Sequence, residues 1–146
     1  MSSEALVSVN HCKGLLVYHL QWCTKYRFKC LKRERINNSC ERILRDVAER
    51  WGIGVLELNV QAEHVHALVE LKPCMSVSRA LMLLKGATSR LLFKQFERFR
   101  LRYPKGHFWS AGNFARSISD VSIDIARDYV RNQRSVHQTL ITSWTP

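Results

Sequence analysis

Glu63-His64-Val65-His66-Ala67-Leu68-Val69-Glu70-Leu71, written EHVHALVEL, is the stretch on which the reading of this chain turns. From Val65 to Leu71 it has the branched, apolar composition of a buried strand, and Pro73 follows as a breaker. Yet it opens with two imidazoles one residue apart. On a strand, His64 and His66 share one face while Val65 and Ala67 take the other. The two side chains then start roughly 6–7 Å apart, close enough for two ring nitrogens to meet at one cation. By itself an H-x-H pair is a weak signal, because histidines tolerated on a half-exposed sheet face give the same string.

Upstream, IGVLELNVQ (53–61) is a second strand-like run, joined to the first by a short turn at Ala62 and Glu63. ERINNSCERILRDVAERWG places Ile36, Cys40, Ile43, Val47 and Trp51 at three- and four-residue spacing, with Gly52 where a helix would stop. LLVYHLQWCTKYRFKC, from Leu15, predicts a long opening strand. Downstream, Ser76 is an N-cap for a helix with Val77, Leu81, Leu84, Thr88 and Leu91 on one face. Pro104 and Gly106 break the chain, and HFWSAGNFARSIS predicts a fourth strand with a bulge at Gly112. Asp120 or Ser122 caps a last helix, over about 120–134, carrying Ile123, Ala126, Tyr129, Val130 and Gln133. The order β-α-β-β-α-β-α predicts an α+β, ferredoxin-like (RRM-like) sandwich with an added C-terminal helix, as one domain over 1–146.

The 146 residues suffice for one hydrophobic core. No apolar run approaches the ~20 residues of a membrane helix, and the N-terminus has no secretory pattern. Five cysteines without a C-x-x-C pair read as reduced side chains of a cytoplasmic protein. Twenty-three Lys and Arg against twelve Asp and Glu give a net charge of +11, an electrostatic footprint of nucleic-acid binding. Lys85, Arg90, Lys94, Arg98, Arg100, Arg102 and Lys105 are interleaved with Phe93, Phe96, Phe99 and Tyr103. Such a stretch suits phosphates and stacked bases, and equally a solvated amphipathic helix.

In DYVRNQ, Tyr129 and Gln133 share a helical face about 6 Å apart along the axis. A helical tyrosine is more often core than nucleophile. Here Ala126 and Val130 already supply an apolar stripe among the polar neighbours Asp128, Arg131 and Asn132. A phenol attacks at neutral pH only if a base, metal or cationic field stabilises the phenolate, and a cation at His64 and His66 would do so.

The strand-borne His64-Val65-His66, the late helical Tyr129 and Gln133 one turn on resemble the single-tyrosine HUH transposases of insertion sequences that move as single-stranded DNA. The likeness runs through YHLQWCTKYR, EHVHALVELKP, SVSRALMLLKG, GHFWSAGNF and DYVRNQ. It implies that His64, His66 and Gln133 hold a divalent cation, magnesium or manganese, and that Tyr129 is the nucleophile. The implied reaction leaves a 5′-phosphotyrosine and a free 3′-hydroxyl, and a 3′-hydroxyl later rejoins the strand. The resemblance further implies a prokaryotic homodimer that recognises DNA hairpins at element ends, with Lys85, Arg90 and Lys94 as candidate phosphate contacts. A domesticated relative or a replication nuclease would share the chemistry. An RNA-binding module would explain the charge, but no RNP1-like string occurs. His11, His19, His107 and His137 read as structural or surface residues, and Glu63 as a surface glutamate.

Overall fold

The computed structural model describes residues 7–9, 12–14, 16–119 and 123–132. A small hairpin, β1 (Val7–Val9) against β2 (Cys12–Gly14), precedes the main sheet. The sequence pattern had no signal for it. The rest follows as β3 (Val17–Thr24), α1 (Glu34–Arg50), β4 (Gly54–Val60), β5 (His64–Glu70), α2 (Val77–Gln95), α3 (Phe99–Arg102), β6 (Trp109–Ile118) and α4 (Ile123–Arg131). The four long strands pair in the order β4-β5-β3-β6, antiparallel throughout. This is the expected ferredoxin-like α+β arrangement with an added helix.

Side-chain alternation gives the sheet two faces. Leu20 and Trp22 of β3, Leu58 and Val60 of β4, and Val65, Ala67 and Val69 of β5 join the larger core with Ile43, Leu44 and Val47 of α1 and Leu81, Leu84 and Leu92 of α2. The opposite face carries Val17, Leu68 and Ile118, packed against Ala126, Tyr129 and Val130 of α4. Helices α1 and α2 therefore cover one face and α4 the other.

Local chemistry explains the boundaries. Gly52, at φ +70°, ends α1 in the left-handed region that costs glycine nothing. The Ser76 hydroxyl accepts from the Arg79 backbone N–H at 3.1 Å, capping α2 as expected. Near Gly112, three β6 residues (Ser110, Ala111 and Gly112) stand opposite Cys23 alone, so the expected irregularity is present. The opening strand is shorter than LLVYHLQWCTKYRFKC suggests. It ends at Thr24, because Tyr26 and Arg27 adopt left-handed backbone at φ 61° and 54°. The proposed caps Asp120 and Ser122 lie outside the described residues.

Candidate active site

His64 and His66 lie on the α4 side of β5, with ring centroids 4.8 Å apart. His66 is fully buried and His64 half-buried. Each has its Nδ1 engaged. For His64 the partner is Glu63 Oε1 at 2.8 Å, and for His66 it is His19 Nε2 at 3.1 Å. Glu63 is thus no mere surface charge. It fixes the ring that follows it.

Helix α4 lays Tyr129 over this group. Its ring centroid is 5.7 Å from that of His19 and 6.0 Å from that of His66, near perpendicular to both. Tyr129 is only 2% exposed, so it belongs to the apolar stripe with Ala126 and Val130 and is not displaced from it. Two contacts from β4 hold the end of the helix. Asn59 Nδ2 donates to the carbonyls of Val130 (2.9 Å) and Arg131 (3.4 Å) at the last described turn of α4. Arg131 grips both oxygens of Glu57, at 3.1 and 3.5 Å. Asn59 also pairs in register with His66, so one rung of the sheet carries both a histidine and a helix anchor.

His19, read from the sequence as a structural or surface residue, is buried and meets His66 directly. It is 2% exposed and stacks on His66 with centroids 5.3 Å apart and planes 10° from parallel. Burial, with help from Arg116, lowers its pKa to about 4, so it is neutral at pH 7. The signal was present. In YHLQW the polar His19 and Gln21 alternate with Leu20 and Trp22, and register pairs Gln21 with His66. The same period-2 alternation in LELNVQ marks Asn59 and Gln61.

Gln133 lies outside the described residues. Among the described residues no three His, Cys, Asp or Glu side chains are placed to hold a metal together. The donor chemistry of the H-x-H pair nevertheless suits a divalent cation. Both Nδ1 atoms face acceptor-capable neighbours, the outer-shell arrangement that turns Nε2 toward an ion.

The three lysine and arginine candidates separate. Lys85 Nζ donates to the Ser110 carbonyl (2.8 Å) and Asn113 Oδ1 (2.6 Å), tying α2 to the irregular part of β6. Burial lowers its pKa. Arg90 and Lys94 are exposed, and Lys94 lines a groove of about 860 Å³ between the start of α1 and the α2–α3 junction. Lys29, Arg33, Arg35, Arg98 and Arg102 line it too, with Phe96 and Phe99. Next to it, Tyr26 is 68% exposed on its left-handed turn and stacks near Tyr103, with centroids 6.4 Å apart.

The comparisons with known proteins fit this geometry. A family model for IS200-like transposases matches residues 12–133, and the chain belongs to that family. The transposase for insertion sequence element IS200 of Salmonella typhimurium is 31% identical over 126 residues, covering 86% of this chain and 82% of that protein. The ISDra2 transposase TnpA of Deinococcus radiodurans is 30% identical over 118 residues, covering 81% and 84%. A solved structure of a transposase candidate from Deinococcus radiodurans R1 superposes with a TM-score of 0.71 at 27% identity, covering 89% of this chain and 99% of that one. A REP-associated tyrosine transposase, solved bound to a REP hairpin, shares the fold with a TM-score of 0.58 at 12% identity, covering 89% and 70%. No described helix is long and apolar enough to cross a membrane.

Proposed function

We propose that this transposase cuts and rejoins single-stranded DNA at the ends of an insertion sequence, with Tyr129 as nucleophile. The Tyr129 oxygen attacks the scissile phosphorus, the P–O3′ bond breaks, and the departing 3′-oxygen takes a proton to become a hydroxyl. The DNA stays on the enzyme as a 5′-phosphotyrosine. In the second step a 3′-hydroxyl attacks the same phosphorus and the tyrosine oxygen leaves. Each step exchanges one phosphate ester for another, so no nucleotide cofactor is consumed. The observation that carries this reading is the packing of Tyr129 against the His19–His66 pair, on the sheet face that also holds His64.

His64 and His66 would hold a magnesium or manganese ion through Nε2, with Gln133 as the third protein ligand. When bound, that ion polarises the phosphate and stabilises charge on the departing oxygen. Buried Tyr129, pinned through Asn59 and Glu57, is kept from bulk water until DNA arrives. The basic groove with Lys94, and Tyr26 beside it, serves the DNA strand, phosphates on the cations and a base on the ring. Hairpin recognition at element ends and a homodimer belong to the same reading, as does one domain over 1–146 in a DNA-associated protein of the bacterial cytoplasm.

The test is incubation with labelled single-stranded DNA from the element's ends, with manganese or with chelator, beside Tyr129→Phe. A manganese-dependent covalent adduct absent from the variant is the expected result. Tight DNA binding with no adduct under any metal would leave a binding module in its place.

A further inference from the structure

His66 presents a choice that the fold has to make for it. A neutral imidazole carries one proton, on Nδ1 or on Nε2, and only the bare nitrogen can ligate a cation. The hydrogen bond made by the other nitrogen sets the choice. For His64 that bond goes to a carboxylate, Glu63, which can only accept when ionised. For His66 it goes to another imidazole, His19, which can do either. His19 therefore decides.

Resting on the metal-assisted reading above, we infer that His19 is a positioning residue that fixes His66 as the Nδ1–H tautomer. Three features carry this. The His19 Nε2–His66 Nδ1 contact is 3.1 Å, and both rings are buried. The rings are 10° from parallel, stacked side by side across neighbouring strands, and Tyr129 and Phe114 pack edge-on against His19. Such packing restricts rotation of the His19 ring, so Nε2 stays aimed at His66. With His19 accepting there, its own proton sits on Nδ1, and His66 keeps its proton on Nδ1 and its lone pair on Nε2. His19 acts through His66, since its Nε2 is the atom that meets His66 Nδ1.

The proposal extends to Glu63 as the counterpart on His64. The two orienting groups differ in kind. One histidine has a half-buried carboxyl group behind it, the other a buried imidazole.

Nitrogen-detected side-chain NMR of the full-length, metal-free protein, above neutral pH, reads the tautomers directly. Manganese titration of the same samples reads affinity, so neither measurement needs turnover. His19→Leu removes the acceptor. His19→Gln returns an oxygen near the position of Nε2. The expected wild-type spectrum has His66 and His19 both protonated on Nδ1. In His19→Leu, His66 should become a tautomer mixture and manganese should bind about 10–100-fold more weakly, while His19→Gln stays within about threefold of wild type. His66 found as Nε2–H in the wild type overturns the inference, as does unchanged manganese affinity in a folded His19→Leu. If the leucine variant does not fold, the wild-type and glutamine spectra decide alone, since one shared Nδ1–H tautomer is required. A wild type that binds no manganese defeats the metal reading instead, and the spectra still decide what His19 does.

Discussion

The two faces of β5 belong to different proteins in all but connectivity. Val65, Ala67 and Val69 point into a closed apolar core under α1 and α2, while His64 and His66 point at α4 from the other side of the same seven residues. The first face is bound by packing, each fully buried aliphatic side chain contributing about 1.5–3 kcal/mol. The second is organised by hydrogen bonds and rings, through Glu63, His19, Asn59 and Tyr129. A strand with period two lets one sequence serve stability and chemistry at once, because a change on one face need not reach the other.

The sharpest way to break that separation is a pair of substitutions. Tyr129→Phe deletes one oxygen from the chemical face and keeps the ring that fills it. Adduct formation should fall at least about 10⁴-fold, the scale of nucleophile removal, while thermal unfolding moves by no more than about 1.5 kcal/mol. Leu20→Ala does the reverse. Leu20 is fully buried under α1 and α2, so its truncation should cost about 2–5 kcal/mol of stability, and the protein still folded should form adduct at close to the native rate. Denaturant melts and gel-resolved adducts on both variants measure this. A Leu20→Ala protein that is folded but inactive would show the faces to be coupled.

Asn59→Ala probes the seam between them. Its backbone belongs to the sheet, but its amide holds the Val130 and Arg131 carbonyls at the end of α4. Losing those hydrogen bonds should cost about 1–2 kcal/mol locally, raising hydrogen exchange at the α4 amides roughly tenfold with little change in the global melt. The exposed Glu57–Arg131 pair should matter less, since ion pairs in water contribute little. Equally faster exchange across the whole sheet would mean that α4 is part of one cooperative unit.

Much of this was legible from the sequence, and the misses have two causes. The four long strands, the helices over 34–50 and 77–95, the Ser76 cap and the Gly52 stop follow from local periodicity and backbone chemistry. His64 and His66 stood out as candidates because they stand together. His19 did not, since its partner is 47 residues away and only the β3–β5 register brings them into contact. Asn59 was passed over for the same reason, its partners being the distant Val130 and Arg131 carbonyls, whereas Glu63, read as a surface glutamate, meets the very next residue, His64. The shortened β3 is a different kind of miss. Tyr26 and Arg27 carry side chains that favour a strand, and their left-handed turn is held by tertiary bonds, among them Lys25 N–H to the Phe108 carbonyl and Tyr103 hydroxyl to the Lys25 carbonyl. Propensity gave way to context.

The smallest effect concerns two lysines that look alike in sequence, both on α2. Lys94 stands in a cluster of six cations around an open groove, whereas Lys85 spends its ammonium on Ser110 and Asn113. If the groove carries single-stranded DNA, Lys94→Ala should lower the slope of log affinity against log salt by about 0.7, one phosphate's worth of released counterions. Lys85→Ala should leave that slope alone and cost about 1–2 kcal/mol of stability instead, because two acceptors at the irregular part of β6 lose their donor. The comparison discriminates where either measurement alone would not. A drop in affinity at one salt concentration follows from any loss of positive charge, but only a residue that meets a phosphate changes the slope. Were Lys85 to change it and Lys94 not, the strand would run over β6 and past Lys25 and His107, where Lys85 lines a second, smaller depression.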